Sequence, residues 1–164
     1  MAKIRERMYV RCPFRKAPSY LNYYLDALAK GATGQTGVLR LTVPLADIGL
    51  PGGVALERDV EAHFTPVPAD KSEYGTQVTA IDWAPAGGGP FPVFNGSISV
   101  ETDEDYGSCS LLIEGDYEPP MGLIGEAFDA TVGRKIAKAT ARQLLRELRQ
   151  ALEEEYSKSQ PAAR

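Results

Sequence analysis

Very little in this chain of 164 residues is built for the commonest kinds of catalysis or metal binding. It has one histidine, two cysteines and one tryptophan. Cys12 and Cys109 stand far apart and belong to no CxxC or Cys/His pattern, which argues against a zinc site or a disulfide framework and for two buried free thiols. The lone histidine, His63, alternates with Glu61 and Asp59 on the polar side of a strand-like run. That places it in solvent, away from any serine nucleophile, and removes the Ser-His-Asp arrangement. No apolar run approaches the roughly 20 residues of a membrane span, and the first seven residues carry charge where a secretory signal needs apolar residues. The expected location is the cytoplasm. Positive charge is not in surplus either: 18 Lys and Arg against 22 Asp and Glu give a net charge of -4, which argues against nucleic acid and anionic membranes as partners.

What remains is a composition of ordinary globular type, 43% hydrophobic and 24% charged, long enough to bury one core without staples. No repeat and no low-complexity linker divides it, so one domain over 1–156 and a disordered tail over 157–164 are expected.

Period-two alternation runs through most of the chain. Ile4, Glu6, Met8, Val10 and Cys12 share one side of a first strand, with Glu6 the odd member. Pro18 opens a short amphipathic helix carrying Tyr20, Leu21, Tyr24, Leu25 and Leu28, which Gly31 ends. The glycines from Gly31 to Gly37 have G-x-x-G-x-x-G spacing without the strand and helix a dinucleotide site needs, and are read as a connection. Strands follow over Val38–Leu45, Val54–Phe64, Tyr74–Trp83, Phe94–Val100 and Cys109–Tyr117, about six in all and mostly antiparallel. Asp103, Asp105 and Glu114 imitate a calcium loop, but Ser108 stands where that loop needs glycine, so no metal is expected. Asn95-Gly96-Ser97 has the form of a glycosylation acceptor and is read as strand.

After Pro119-Pro120 a long helical pattern runs to about Tyr156. Ile124, Phe128, Val132, Ile136, Thr140, Leu144, Leu148 and Leu152 recur every four residues, and each such step overshoots a turn by about 40°. The pattern predicts two faces used in succession: Met121 to Ile136 on one side, Ala137 to Leu152 on nearly the opposite one. The two halves would bury against different partners, with a modest bend at Gly133.

Arg58 falls among the apolar positions of its strand, and an inward guanidinium must be matched because it does not deprotonate. Two readings stay open: a structural pair with Glu6 or a side chain reaching the strand end, and an anchor for an acidic or carbonyl-bearing ligand. Tyr20, Tyr24, Tyr74, Trp83 and Tyr117 fit a core or a pocket equally.

The order strand, short helix, five strands and long helix, with Trp83, Phe91-Pro92-Val93-Phe94-x-Gly96 and Tyr117-x-Pro119-Pro120-x-Gly122, then Asp129, Gly133-Arg134 and Ala137, resembles the START-like, or Bet v 1-like, superfamily (SRPBCC) over nearly the whole chain, and within it a bacterial subgroup. The resemblance implies an α+β helix-grip fold, a curved antiparallel sheet wrapped around the C-terminal helix. It implies an elongated cavity between the two that takes a lipid, polyketide or other apolar small molecule. The inward positions are then the cavity-lining candidates: Arg58, Val60, Phe64, Trp83, Phe94, Ile98, Leu111, Ile113, Tyr117, Phe128, Val132 and Ile136. No cofactor and no catalytic motif is implied, and a homodimer is left open. Two further readings belong to the same superfamily or fold: a polyketide cyclase or dehydratase using Glu6, Arg58 and Asp82, and an interaction module whose cavity is filled by its own side chains.

Overall fold

A computed structural model describes residues 2–30, 37–44, 57–66, 78–87, 92–102, 107–118 and 130–159. Its strands are β1 (Ala2–Val10), β2 (Gly37–Pro44), β3 (Glu57–Pro66), β4 (Val78–Pro85), β5 (Val93–Thr102) and β6 (Cys109–Glu118), with helices α1 (Ala17–Lys30) after β1 and α2 (Ala130–Ser159) at the end. They form one sheet in the order β1-β6-β5-β4-β3-β2, every neighbouring pair antiparallel. The first strand therefore pairs with the last, and β1 and β2 are the two edges.

Alternation sorts the side chains as the sequence predicts. Ile4 and Val10 of β1, Leu39, Leu41 and Val43 of β2, Val60, Ala62 and Phe64 of β3, and Ile81 and Trp83 of β4 are buried with Phe94, Ile98 and Val100 of β5. The opposite face carries exposed ion pairs, Arg40 with Glu61 and Arg7 with Glu101. His63 lies there too, 3.9 Å from Glu61.

The sheet curls, and its register indicates where. Gly96 pairs with Gly115. A Cβ built on Gly96 would meet the Glu114 carbonyl oxygen, and would lie 2.6 Å from Phe94 Cζ and 2.8 Å from Gly115 Cα. The mirror position on Gly115 would lie 2.5 Å from Gly96 Cα and 2.7 Å from the same Phe94 atom. Two strands this close on their inner face leave no room for side chains, so glycine is required on both. The Phe94 ring folds over the pair in their place, the aromatic cover that edge and bend glycines commonly receive.

α2 lies closest to β1, with further approaches to β2 and β6, and α1 packs on β2 and α2. A flat six-stranded sheet would hold its edges about 24 Å apart; with the curl, one helix about 10 Å wide lies against both. Along α2 the buried residues are Gly133, Ile136, Ala137, Thr140, Ala141, Leu144, Leu145, Leu148 and Leu152. At 100° per residue these span one broad stripe of about half the circumference. Ile136 is at the margin of the same stripe as Leu144, while the side chains of Met121 to Val132, expected on the other face, lie outside those described. From Ile136 to Leu152 one concave surface accepts the drift of the four-residue ladder. The earlier half, Met121 to Phe128, lies outside the described residues.

α2 also runs three residues beyond Tyr156, into the stretch expected to fray. Ser159 Oγ donates to the Tyr156 carbonyl at 2.9 Å and meets the Tyr20 hydroxyl of α1 at 2.8 Å. Lys16 sits over the Tyr156 ring, 5.7 Å from its centre, and the Arg11 N–H donates to Glu153 at 3.0 Å. These contacts with the segment after β1 hold the last turns in place. The residues after Ser159 lie outside those described.

Candidate functional site

The antiparallel register assembles the site from residues scattered over almost 80 positions. Tyr117 pairs with Phe94, Phe94 with Trp83, Trp83 with Ala62 and Ala62 with Leu39, giving one row across five strands on the concave face. All five are buried. Beside it run Ile4, Gly115, Gly96, Ile81 and Phe64, and then Glu6, Ile113, Ile98 and Thr79. Of the twelve lining candidates, Val60, Phe64, Trp83, Phe94, Ile98, Leu111, Ile113, Tyr117 and Ile136 are brought together in one buried apolar cluster. Phe128 lies outside the described residues. Arg58 pairs with Val43 in the β2–β3 register, but its side chain and that of Val132 fall outside those described, as does Tyr74.

Trp83 and Phe94 are stacked, ring centres 4.0 Å apart and planes 15° from parallel. The layers are thus glycine pair, Phe94, Trp83, each seated on the one before. On its other side in the row, Trp83 adjoins Ala62, a single methyl group. The indole is 1% exposed, and its Nε1 has no hydrogen-bond partner, alone in this among the described buried side-chain nitrogens and oxygens. Buried indole N–H groups normally find an acceptor, so this one is an exception that asks for a reason. The sequence marks Trp83 as inward, but no pattern marks its nitrogen as unpaired, because that depends on what every other strand fails to supply.

Three polar expectations change. Glu6 pairs with Arg142 of α2, Nε to Oε2 3.1 Å, while the expected partner Arg58 has its side chain outside those described. Its side chain is 12% exposed and that of Arg142 55%, so the carboxylate sits at the rim and its partner reaches in from solvent. Asp82 is exposed on the outer face, the necessary position of a residue next to inward Trp83 in a strand; it is no cavity-facing acid. Tyr20 and Tyr24 belong to α1 and pack at the margin of the core, where burial, and secondarily Glu147, push the Tyr24 phenol upward. Burial also pushes the Cys12 thiol up to about 11, with Lys16 lowering it and Glu153 raising it less. Both cysteines are free and buried.

Two grooves lie beside α2. One of about 530 Å³ follows the solvated side of α2 from Gln143 to Ser157. The other, about 450 Å³, lies where Arg134 and Lys138 of α2 approach Lys3, Ile4 and Arg5 of β1 and Glu114, Gly115 and Asp116 of β6. Neither contains Trp83, Phe94 or Tyr117, and the first is lined wholly by polar and charged side chains, as a helix's solvent face should be. Among the described residues no group of three or more His, Cys, Asp or Glu side chains is placed to hold a metal ion. None of the described helices is long and apolar enough to cross a membrane.

No family model and no curated protein matches the sequence. Solved structures do match its fold. The Zhui aromatase/cyclase from Streptomyces superposes with a TM-score of 0.57 at 16% identity, covering 98% of this chain and 96% of its own. A conserved protein from Geobacillus kaustophilus superposes with a TM-score of 0.55 at 15% identity, covering 96% and 97%. A START superfamily protein from Mycobacterium smegmatis superposes more loosely, with a TM-score of 0.47 at 13% identity over 96% and 99%. Identities this low speak to architecture and leave chemistry to the residues. With six antiparallel strands curled against a long C-terminal helix, a short helix after the first strand, and end-to-end superposition on the aromatase/cyclase and the Geobacillus structure, this chain has a helix-grip fold.

Proposed function

We propose that the protein binds a largely apolar small molecule between the concave face of β3–β6 and α2. One observation carries the reading. The backbone of α2 comes close to the sheet at β1, β2 and β6 and least close at β3, β4 and β5, while those three strands hold the large inward side chains Phe64, Ile81, Trp83, Phe94 and Ile98. The helix rests on the rim of the curl, so among the described residues what meets the middle of the sheet is side chain, and room for a guest there is the proposal. A surface of rings and branched aliphatics there suits an apolar body. The name of the Streptomyces structure, an aromatase/cyclase, supports a ring-forming or polyaromatic molecule as the first class to try. A polyketide or lipid is then the guest, and carriage rather than turnover is the activity.

The test uses freshly purified protein. Native mass spectrometry should detect a bound apolar species, and a panel of apolar dyes should bind and be displaced by it. Trp83 is the only tryptophan in the chain, so its emission should respond to every guest that reaches the row. Absence of any bound species, together with no dye binding and an unresponsive emission, would remove the proposal.

A further inference from the structure

We infer that the guest carries a neutral hydrogen-bond acceptor, a carbonyl oxygen in the simplest case, and that Trp83 Nε1–H donates to it. This rests on the reading that the concave face takes an apolar molecule, and it adds which apolar molecules are preferred. The indole nitrogen is buried with no hydrogen-bond partner of its own, on a side chain that belongs to the apolar core cluster. An unpaired N–H in such surroundings forfeits the hydrogen bond it made to water before folding. A guest oxygen that reaches it restores that bond, whereas a hydrocarbon of the same shape leaves the deficit in place.

The orientation of the indole is not free to adjust. Phe94 covers one face at 4.0 Å, and Phe94 itself is seated on Gly96 and Gly115, where its Cζ lies within 2.7 Å of either missing Cβ position. The donor is therefore held on a rigid stack built from three strands, the condition under which one hydrogen bond discriminates between guests. The acceptor is neutral because no charged side chain is buried among the described residues, so an anion beside Trp83 would meet no counter-ion from them and would lose its hydration. The remaining described buried polar groups do not compete: Ser108 and Ser110 lie at the opposite end of β6 from Tyr117 and have interactions of their own. Thr140 Oγ1 donates to the Ile136 carbonyl at 2.8 Å, while Thr79 lies two rows away from Trp83 in the sheet.

The experiment compares fluorene with fluorenone, two flat tricyclic molecules of nearly equal size that differ by one carbonyl oxygen. With a single tryptophan, the protein labelled with nitrogen-15 gives one indole N–H resonance. Fluorenone should bind about tenfold more tightly than fluorene, the equivalent of one net hydrogen bond, and should move the indole proton downfield; fluorene should not. In Trp83→Phe, folded by circular dichroism, the preference should fall to within twofold while fluorene still binds. If that variant does not fold, the probe pair and the indole resonance of the wild-type protein still decide. Equal affinities with an unmoved indole proton would overturn the hydrogen bond and leave the apolar site standing. Binding of neither probe would overturn the apolar site and this inference with it.

Discussion

Replacing Gly96 by alanine tests the construction of the site at its base. Carbon atoms in contact sit about 3.5–4.0 Å apart, but the new Cβ would find Gly115 Cα at 2.8 Å, Phe94 Cζ at 2.6 Å and the Glu114 carbonyl oxygen closer still. Two of these three are backbone atoms of a paired strand and cannot rotate away. The Phe94 ring can, at the expense of its stack on Trp83. Overpacking of this kind costs about 1–3 kcal/mol, and the lost aromatic pair adds roughly 0.5–1.5 kcal/mol, so a loss of about 2–4 kcal/mol is expected. For a domain of this length each kcal/mol moves the melting midpoint by about 2–4 °C, giving a fall of roughly 4–16 °C. Thermal melts followed by far-UV circular dichroism measure the fall, and Trp83 emission reports whether the stack opened. A variant that melts within 2 °C of the wild type with unchanged emission would refute the close approach of β5 and β6.

The other glycine of interest should behave in the opposite way. A Cβ on Gly133, in the middle of a helical turn, would meet only Tyr117 Cε2 at an ordinary 3.7 Å, so Gly133→Ala should stabilise by about 1 kcal/mol, read as a rise in melting midpoint. Arg142→Ala should destabilise by about 1 kcal/mol in urea unfolding, because it leaves the Glu6 carboxylate largely enclosed and unpaired; the figure is modest since Arg142 itself is half in solvent. Glu6→Leu, which removes that carboxylate and adds apolar area beside Ile113, should cost less than Arg142→Ala or nothing. Cys12 keeps its proton in the folded state up to about pH 11, against 9.0 for an ordinary thiol. Its stabilising effect is thus complete below pH 9 and lost as pH rises from 9 to 11, on the order of 2 kcal/mol. Urea midpoints from pH 8 to 11 should fall less steeply for Cys12→Ala than for the wild type.

Much of this architecture is legible in the residues because the sheet is half-buried: in such a strand, burial follows parity, with β6 departing from it where Cys109 to Ile113 are all buried. Trp83, Phe94, Ile98, Leu111, Ile113 and Tyr117 are inward for that reason, and all are buried. The same parity, applied strictly, already turns Asp82 outward, since its neighbour Trp83 is inward. Other features depend on distance in sequence. Nothing local to Glu6 points to Arg142, 136 residues away; that pair exists because β1 is the strand over which α2 runs. The single stripe of α2 is hidden for a different reason. A four-residue ladder drifts around any straight helix, and only the curvature of the receiving surface decides whether the drift still faces one partner.

That curvature links stability to binding. Gly96 and Gly115 are needed for the strands to close, and the space they leave is filled by Phe94, whose ring in turn sets the plane of Trp83. A change that relaxes the bend therefore also releases the indole, so its N–H can turn toward another acceptor and find one without a guest. The two effects separate cleanly in the probe pair: Gly96→Ala, measured at a temperature where it is fully folded, should lose its preference for fluorenone over fluorene even though Trp83 is still present. A loss of preference with the donor intact assigns selectivity to the stack that aims the nitrogen; preference retained at full strength would mean that Trp83 is positioned by something other than Phe94 and the glycine pair.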